Sequence, residues 1–560
     1  MTRIKELFSN EKKYFWLLII FVMLLLAAFD RGFWANVAQW REDQATNLWL
    51  GYTQNPLSLP VGLISSINLP NANGMPLLAI LLSRLPNLWS VSTFLGILQA
   101  ALVLWVSWLV TGPNARFFLM TVPALASVIL CATSVEFWNQ WVMTSVNLLF
   151  FGLLVFYLRR PVIWKIPLLI VPMLLAPAVY LAGIVNAIIF FVLAVFVVAL
   201  RRPQGRRRAW LVSGFACLVL VGLSLWLTWL PYAGAVGTKS LPGTQMTMAS
   251  LKNRVNASTQ SFLNFPMWGL THWAYSLYDT FYQSSSKILP VPAIQLFRLT
   301  RYLNFGQALI YLSVLVVAVA VWIYRRRPFD EFFLPGQQVA GSAVLLGMAF
   351  VILSFTLSPL LSGPIWADRI RVDQTVQFLP FFLFAWFTLP FLVRMPRFVQ
   401  AAARLLTVFL AVAFFVGNLA LGFQVVPAHL NYRGNFLSEA DVPLQQKNQV
   451  VDFIAHDWMA NSTSKIVPVT YDLGGGKWDY VPDQGKPLEK WYPSVMTLGR
   501  GFDYELLREY GLHNSQEGIQ FRPLFPTRYV VSYAFLPEPS QPGLTLKTHI
   551  FGRLRVSVLQ

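Results

Sequence analysis

Blocks of about 20 consecutive apolar residues recur along this chain, a length that lets a helix rising 1.5 Å per residue cross the roughly 30 Å hydrocarbon layer of a bilayer. Eleven such blocks can be read: Tyr14–Phe29, Leu88–Val110, Phe117–Thr133, Asn139–Leu158, Ile166–Tyr180, Ala182–Leu200, Ala209–Leu230, Leu303–Tyr324, Val339–Leu360, Thr375–Val393 and Arg404–Phe423. Trp and Tyr gather at their ends, where amphipathic rings anchor at the interface. With 56% hydrophobic and 12% charged residues and a mean hydropathy of +0.54, the chain has too little polar surface for a soluble protein of 560 residues. The pattern excludes a β-barrel and predicts a polytopic α-helical membrane protein with about 11 transmembrane helices. The first block carries no small-residue cleavage site before Asp30 and reads as a retained span.

The net charge of +19 raises the question of nucleic acid, and the placement of the cations answers it. They cluster in short loops between blocks: Arg159 and Arg160, RRPQGRRR from Arg201 to Arg208, RRRP from Arg325, and Arg394 to Arg404. Positive loops stay cytoplasmic, so the charge reports orientation in a cell inner (plasma) membrane and no nucleic-acid partner is expected. The N-terminus is then cytoplasmic. Lys165 and Arg201 share that side, so the short fifth and sixth blocks form a hairpin, and eleven spans leave the tail extracytoplasmic.

This divides the chain into a transmembrane domain, 1–424, with large external loops at 30–89 and 231–302, and an extracytoplasmic C-terminal domain, 425–560. The tail has ordinary charge density, an amphipathic helix pattern around Gln449–Trp458, and the strand-like runs KIVPVTYD, RYVVSYAF and GRLRVSVL between turn-rich stretches. That composition predicts a small α/β domain. Cys131 and Cys217 both lie in apolar blocks and suggest neither a disulfide framework nor a cysteine metal site.

Asp30, Glu42 and Asp43 follow the first span, ahead of an aromatic stretch and a Pro/Asn/Gly-rich turn. A carboxylate at the membrane surface can take the proton of a hydroxyl acceptor; a set of solvated loop residues would look the same.

Asp43 in REDQATNLW resembles the loop acidic motif of the GT-C superfamily, the dolichyl-phosphate-mannose-type and ArnT-like membrane glycosyltransferases that use polyprenyl-phosphate sugars. The order of spans and external loops over Met1 to Gln424 is similar too. The resemblance implies a GT-C-like fold. It also implies an enzyme that moves a hexosyl or pentosyl group, with inversion, from a polyprenyl-phosphate-linked donor to an extracytoplasmic acceptor hydroxyl on an envelope glycan, lipid or protein. Asp43 matches the family's catalytic base, with Glu42 beside it. Glu136 in ATSVEFWNQW matches a second acidic position, and with Asn139 is a substrate-binding candidate; an interfacial Glu is the plain alternative. In some members that region helps hold a divalent cation, for which this chain supplies Glu136 alone where hard cations prefer several oxygens. No other cofactor is implied.

A late external loop, WADRIRVDQTVQFLPF, packs Asp368, Arg369, Arg371 and Asp373 together. Arginines outside run against the orientation bias, and guanidinium forks suit a phosphate. The resemblance makes Arg369 and Arg371 donor-phosphate ligands and leaves Asp368 and Asp30 as further substrate-binding candidates; internal pairing within the loop is the alternative. Two other classes stay open: a transporter or flippase for a lipid-linked or envelope component, and a scaffold whose tail binds polysaccharide.

Overall fold

The structure is a computed structural model that describes residues 2–38, 40, 42–53, 72–112, 117, 121, 122, 125, 131, 134, 135, 137, 139–180, 183–236, 252, 253, 255, 256, 396–431, 442–472, 500–514, 528–534 and 546–559. The described chain is mostly helical. Four of its helices are long and apolar enough to cross a membrane: Tyr14–Ala35, Leu88–Thr111, Val142–Arg159 and Arg207–Gly234. The expected spans at 303–324, 339–360 and 375–393 lie outside the described residues, as do Arg369, Arg371, Asp368 and Glu136.

Helix α1 (Thr2–Ala35) runs six residues beyond the span end read from sequence. Asp30 and Arg31 interrupt the apolar run without ending the helix, because they pair with each other. Short helices α2 (Glu42–Thr53) and α3 (Gly74–Leu82) follow. Then comes α4 (Leu88–Thr111), which starts where Asn87 Oδ1 accepts the Ser90 amide at 2.8 Å, an N-cap. Helix α5 (Asn139–Arg159) packs on α6 (Ile166–Val179) and α7 (Gly183–Leu200). Phe150 stacks on Phe190 at 4.0 Å between centroids, and Asn186 donates to Asn147 Oδ1 at 3.0 Å beside them.

The basic stretches at Arg159–Arg160 and Arg201–Arg208 come to one end of this bundle. Tyr157 Oη donates to the Arg201 carbonyl at 2.7 Å, and at an isolated bridge between Val162 and Gln204 the Ile163 amide donates to the Gln204 carbonyl at 3.2 Å and the Gln204 amide to the Pro161 carbonyl at 2.9 Å, so Lys165 and Arg201 lie on the same side. Helix α8 (Arg207–Ser224) passes through a π-helical turn, Leu225–Trp229, into α9 (Leu230–Val236), and α10 (Arg397–Asn431) returns to pack Gly422 under the Trp34 indole.

Beyond α10 the composition changes and so does the architecture. Helices α11 (Leu444–Asn461) and α12 (Arg500–Tyr510) cover a four-stranded sheet of β2 (Val469–Asp472), β4 (Tyr529–Tyr533), β6 (Leu554–Leu559) and β5 (Leu546–Phe551), in that order. Strands β2 and β4 are parallel, and the other two pairings antiparallel. A separate parallel pair joins β1 (Ile466–Val467) to β3 (His513–Asn514). The period-2 pattern explains the register: Tyr529, Val531 and Tyr533 oppose Val558, Val556 and Leu554, and all six join the core under α11 with Val450, Val451 and Ile454. Gly552, at φ 59°, supplies the left-handed residue that the tight β5–β6 turn needs.

Candidate functional site

Glu42 and Asp43 are the first two residues of α2. They open a helix whose next eight residues, Gln44 to Gly51, are all buried. A solvated surface loop would alternate exposed and covered positions. This helix is enclosed instead, with polar Gln44, Thr46 and Asn47 sequestered beside Leu48 and Trp49. Free backbone amides at a helix start favour negative charge there, so the acidic pair sits at the end of α2 that stabilises it.

Three surfaces enclose the helix. On one side α3 comes close enough that Gly51 has no room for a side chain: an added Cβ would stand 2.7 Å from the Ala79 carbonyl carbon. On another, α12 lies across it, with Tyr52 edge-on to Tyr504 at 6.2 Å and the Arg508 guanidinium 5.4 Å over the Tyr52 ring. The third is the start of the helix, beyond the turn at 36–38 that closes α1. Trp40 is buried there; its Nε1 donates to Ser92 Oγ of α4 at 3.0 Å, and its carbonyl accepts from Lys447 Nζ of α11 at 2.8 Å. Gln445 N donates to the Asn36 carbonyl at 3.1 Å one turn earlier.

The tail is also tied to the α3–α4 connection. Arg508 donates through Nε to the Ser83 carbonyl at 3.1 Å and through Nη2 to the Arg84 carbonyl at 3.0 Å, and Asn87 Nδ2 donates to Glu509 Oε1 at 2.7 Å. The buried Glu505 carboxyl accepts the Leu88 amide at 2.7 Å, serving the first orphan donor of α4. Burial pushes the Glu505 carboxyl well above the usual carboxylate range, the Glu509 charge adds to this, and the Leu88 amide opposes it.

The remaining expected site residues fall as follows. Asp30 is partnered: Arg31 Nη1 donates to its Oδ2, and that guanidinium also reaches Cys131 Sγ at 2.7 Å and the Leu125 carbonyl at 3.0 Å. Asn139 is the first residue of α5. Among the described residues no group of three or more His, Cys, Asp or Glu comes together as a metal site. Arg31, Lys447 and Glu505, all buried charged residues, were not singled out from sequence. The available signal was a charge inside an otherwise apolar frame, as in DRGFW and VPLQQKNQVV.

No family model matches the chain, and no curated protein matches it. Among solved structures, the chain is similar to the crystal structure of ArnT from Cupriavidus metallidurans bound to undecaprenyl phosphate, at 11% identity and a TM-score of 0.43 over 97% of this chain and 97% of that one. Against the apo state of the same protein the identity is 9% and the TM-score 0.38, over 97% of this chain and 98% of that one.

Proposed function

We propose that this chain is a membrane glycosyltransferase of the GT-C kind, which moves a sugar from a polyprenyl-phosphate carrier to an acceptor hydroxyl at the extracytoplasmic face of an inner membrane. The observation that carries the proposal is the placement of Glu42 and Asp43, opening a helix buried over eight consecutive residues just past the end of a membrane-crossing helix. Catalysis by a positioned base depends on a carboxylate held in place rather than one waving in solvent, and a helix enclosed by α3, α12 and the clamped Trp40 provides that support.

In this reading Asp43 takes the acceptor hydroxyl proton as the oxygen forms its bond to the anomeric carbon, and the bond from that carbon to the phosphate oxygen breaks with inversion. The electron pair leaves on the polyprenyl phosphate, whose charge Arg369 and Arg371 stabilise. Glu42 is the neighbouring carboxylate. Glu136, Asn139, Asp30 and Asp368 contribute to substrate binding, Asp30 through the charge it already shares with Arg31. In this reading residues 425–560 include the extracytoplasmic domain, and the packing of Tyr504 and Leu507 with Leu48 and Trp49 supports a role for it beside α2.

The test is Asp43→Asn in the purified full chain, offered a panel of polyprenyl-phosphate sugars with an envelope extract as acceptor. Turnover is expected to fall by about 10²-fold or more while the thermal midpoint holds. Transfer at the parent rate by a folded Asp43→Asn protein would remove Asp43 as the base. Activity that survives there and dies in Glu42→Gln would move the role by one residue, about 100° around the helix.

A further inference from the structure

Helix α12 packs in two directions. Phe502 and Leu506 join the core of the sheet with Val531 and Val556, while Tyr504 and Leu507 join Leu48, Trp49 and Leu88 in the core around α2. Glu505 is buried to 1% exposure on the second side, where its Oε1 accepts the Leu88 amide at 2.7 Å. Its Oε2 is buried too, and among the described residues no group hydrogen-bonds to it. A buried carboxylate is costly unless donors meet its charge, and here one amide serves one oxygen.

The surrounding charges do not supply the second donor. From α12 itself come Glu509, one turn on, and Arg508; from α11 comes Asp452, which accepts from Tyr510 Oη at 2.7 Å. From α4 come the Leu88 amide and Asn87, whose Nδ2 donates to Glu509, and from the α3–α4 connection comes Arg84, which is exposed. The Arg508 guanidinium donates to the Ser83 and Arg84 carbonyls and lies over the Tyr52 ring of α2. Burial favours the protonated carboxyl, Glu509 and Asp452 add to this, and the Leu88 amide and Arg508 oppose it.

We propose that Glu505 makes the docking of the tail depend on pH: with a neutral carboxyl at 505, α12 closes on α2 and on the start of α4, and ionisation there parts them without unfolding the tail. Water reaches the charge once α12 leaves α4, while Phe502 and Leu506 keep the helix on its sheet. The carboxyl titrates higher docked than open to water, so docking is complete below the open-state value and weakens as pH rises through the docked one. Each unit between the two weights separation about tenfold. The inference rests on the transferase reading only for its effect on turnover.

The experiment measures amide protection factors in the purified full chain at pH 6 and pH 9. Protection over 42–53 and 88–92 is expected to fall at least tenfold, and over β6, 554–559, to stay within threefold. Glu505→Gln, which keeps an oxygen for the Leu88 amide, is expected to hold all three within threefold. Glu509→Gln keeps an acceptor for Asn87 and removes the neighbouring charge, so its fall should come at lower pH than the parent's. In the transfer assay, parent kcat is expected to drop at least tenfold from pH 7 to pH 9, and that of Glu505→Gln to stay within threefold.

Constant protection over 42–53 and 88–92 in the parent would overturn the proposal. A parallel loss over 554–559 would do so too, since the tail would then be unfolding, and so would a parent-like profile in Glu505→Gln, which would move the titration to another group. Lost protection with constant kcat would overturn the bearing on the reaction. If Glu505→Gln does not fold, Glu509→Gln decides by the direction of its shift, and an unmoved profile counts against Glu505. A parent protein that transfers no sugar from any donor in the panel would sink the transferase reading, while the exchange comparison would still decide whether Glu505 governs docking.

Discussion

Gly51→Ala adds one methyl where α2 crosses α3, and its effect can be worked from three distances. The new Cβ would stand 2.7 Å from the Ala79 carbonyl carbon, 2.8 Å from its Cβ and 2.9 Å from its oxygen, two of the three being backbone atoms that cannot rotate away. Carbon contacts settle at about 3.5–4.0 Å, so the helices must part by about 1 Å. Overpacking of this kind costs about 1–3 kcal/mol, and Ala in place of Gly within a helix returns about 1 kcal/mol. The net loss is at most about 2 kcal/mol, which a domain stable by about 5–15 kcal/mol survives. A displacement of about 1 Å in a reacting group, by contrast, can cost about 10²-fold in rate. Gly51→Ala should therefore lower turnover by about 10- to 100-fold with a small fall in thermal midpoint. Gly501→Ala is the control: its Cβ would meet Ala45 Cβ, on the same α2, at an ordinary 3.9 Å, and turnover should stay within twofold. A folded Gly51→Ala protein that turns over like the parent would refute the claim that the seating of α2 sets the reaction.

Glu505 gives a pH prediction. Its folded-state carboxyl titrates above its unfolded value because of burial, so the folded chain holds the extra proton; that contribution is complete below the unfolded pKa and is lost as pH rises through the folded one. Glu505→Gln keeps an oxygen for the Leu88 amide and removes the titration, so thermal midpoints measured from pH 4.5 upward should decline less steeply than the parent's and match or exceed them at pH 8; a steeper decline would contradict the assignment. Arg369→Gln and Arg371→Gln should raise the KM for the lipid donor, read in the transfer assay, and if both leave donor saturation and turnover unchanged the pair only balances Asp368 and Asp373.

Local pattern carried much of the fold. The apolar block at Leu88–Val110 became α4 almost residue for residue because Asn87 caps it, and the strand-like runs of the tail paired in a register that keeps Val531, Val556 and their alternates on the core side. Charges were read too locally: Asp30 looked like the end of a span, yet pairing with Arg31 lets the helix continue to Ala35. The helix expected around Gln449–Trp458 starts at Leu444, five residues earlier and directly after Pro443. The candidate site was legible as a motif and illegible as a place. The residues REDQATNLWL read as an amphipathic external stretch, because nothing nearby in sequence announces that Tyr504, Leu507 and Leu444 will pack with Trp49 and Leu48 in one core. Burial of a short helix by partners some 400 positions away is a property of the assembled chain, not of its local period.

That separation also orders events during synthesis. The shelter over α2 is built from Leu444, Lys447, Tyr504 and Leu507, which leave the ribosome long after residues 42–53 have been made. At about 5–20 residues per second, roughly 20–80 s pass before α11 exists to meet the Trp40 carbonyl. Through that interval the acidic helix has its membrane-side neighbours but no lid, and residues made some 400 positions later finish its surroundings. A chain interrupted before residue 444 would therefore carry its first spans and its carboxylates yet leave them unseated, so that assembly of this site waits on the synthesis of residues 444–507.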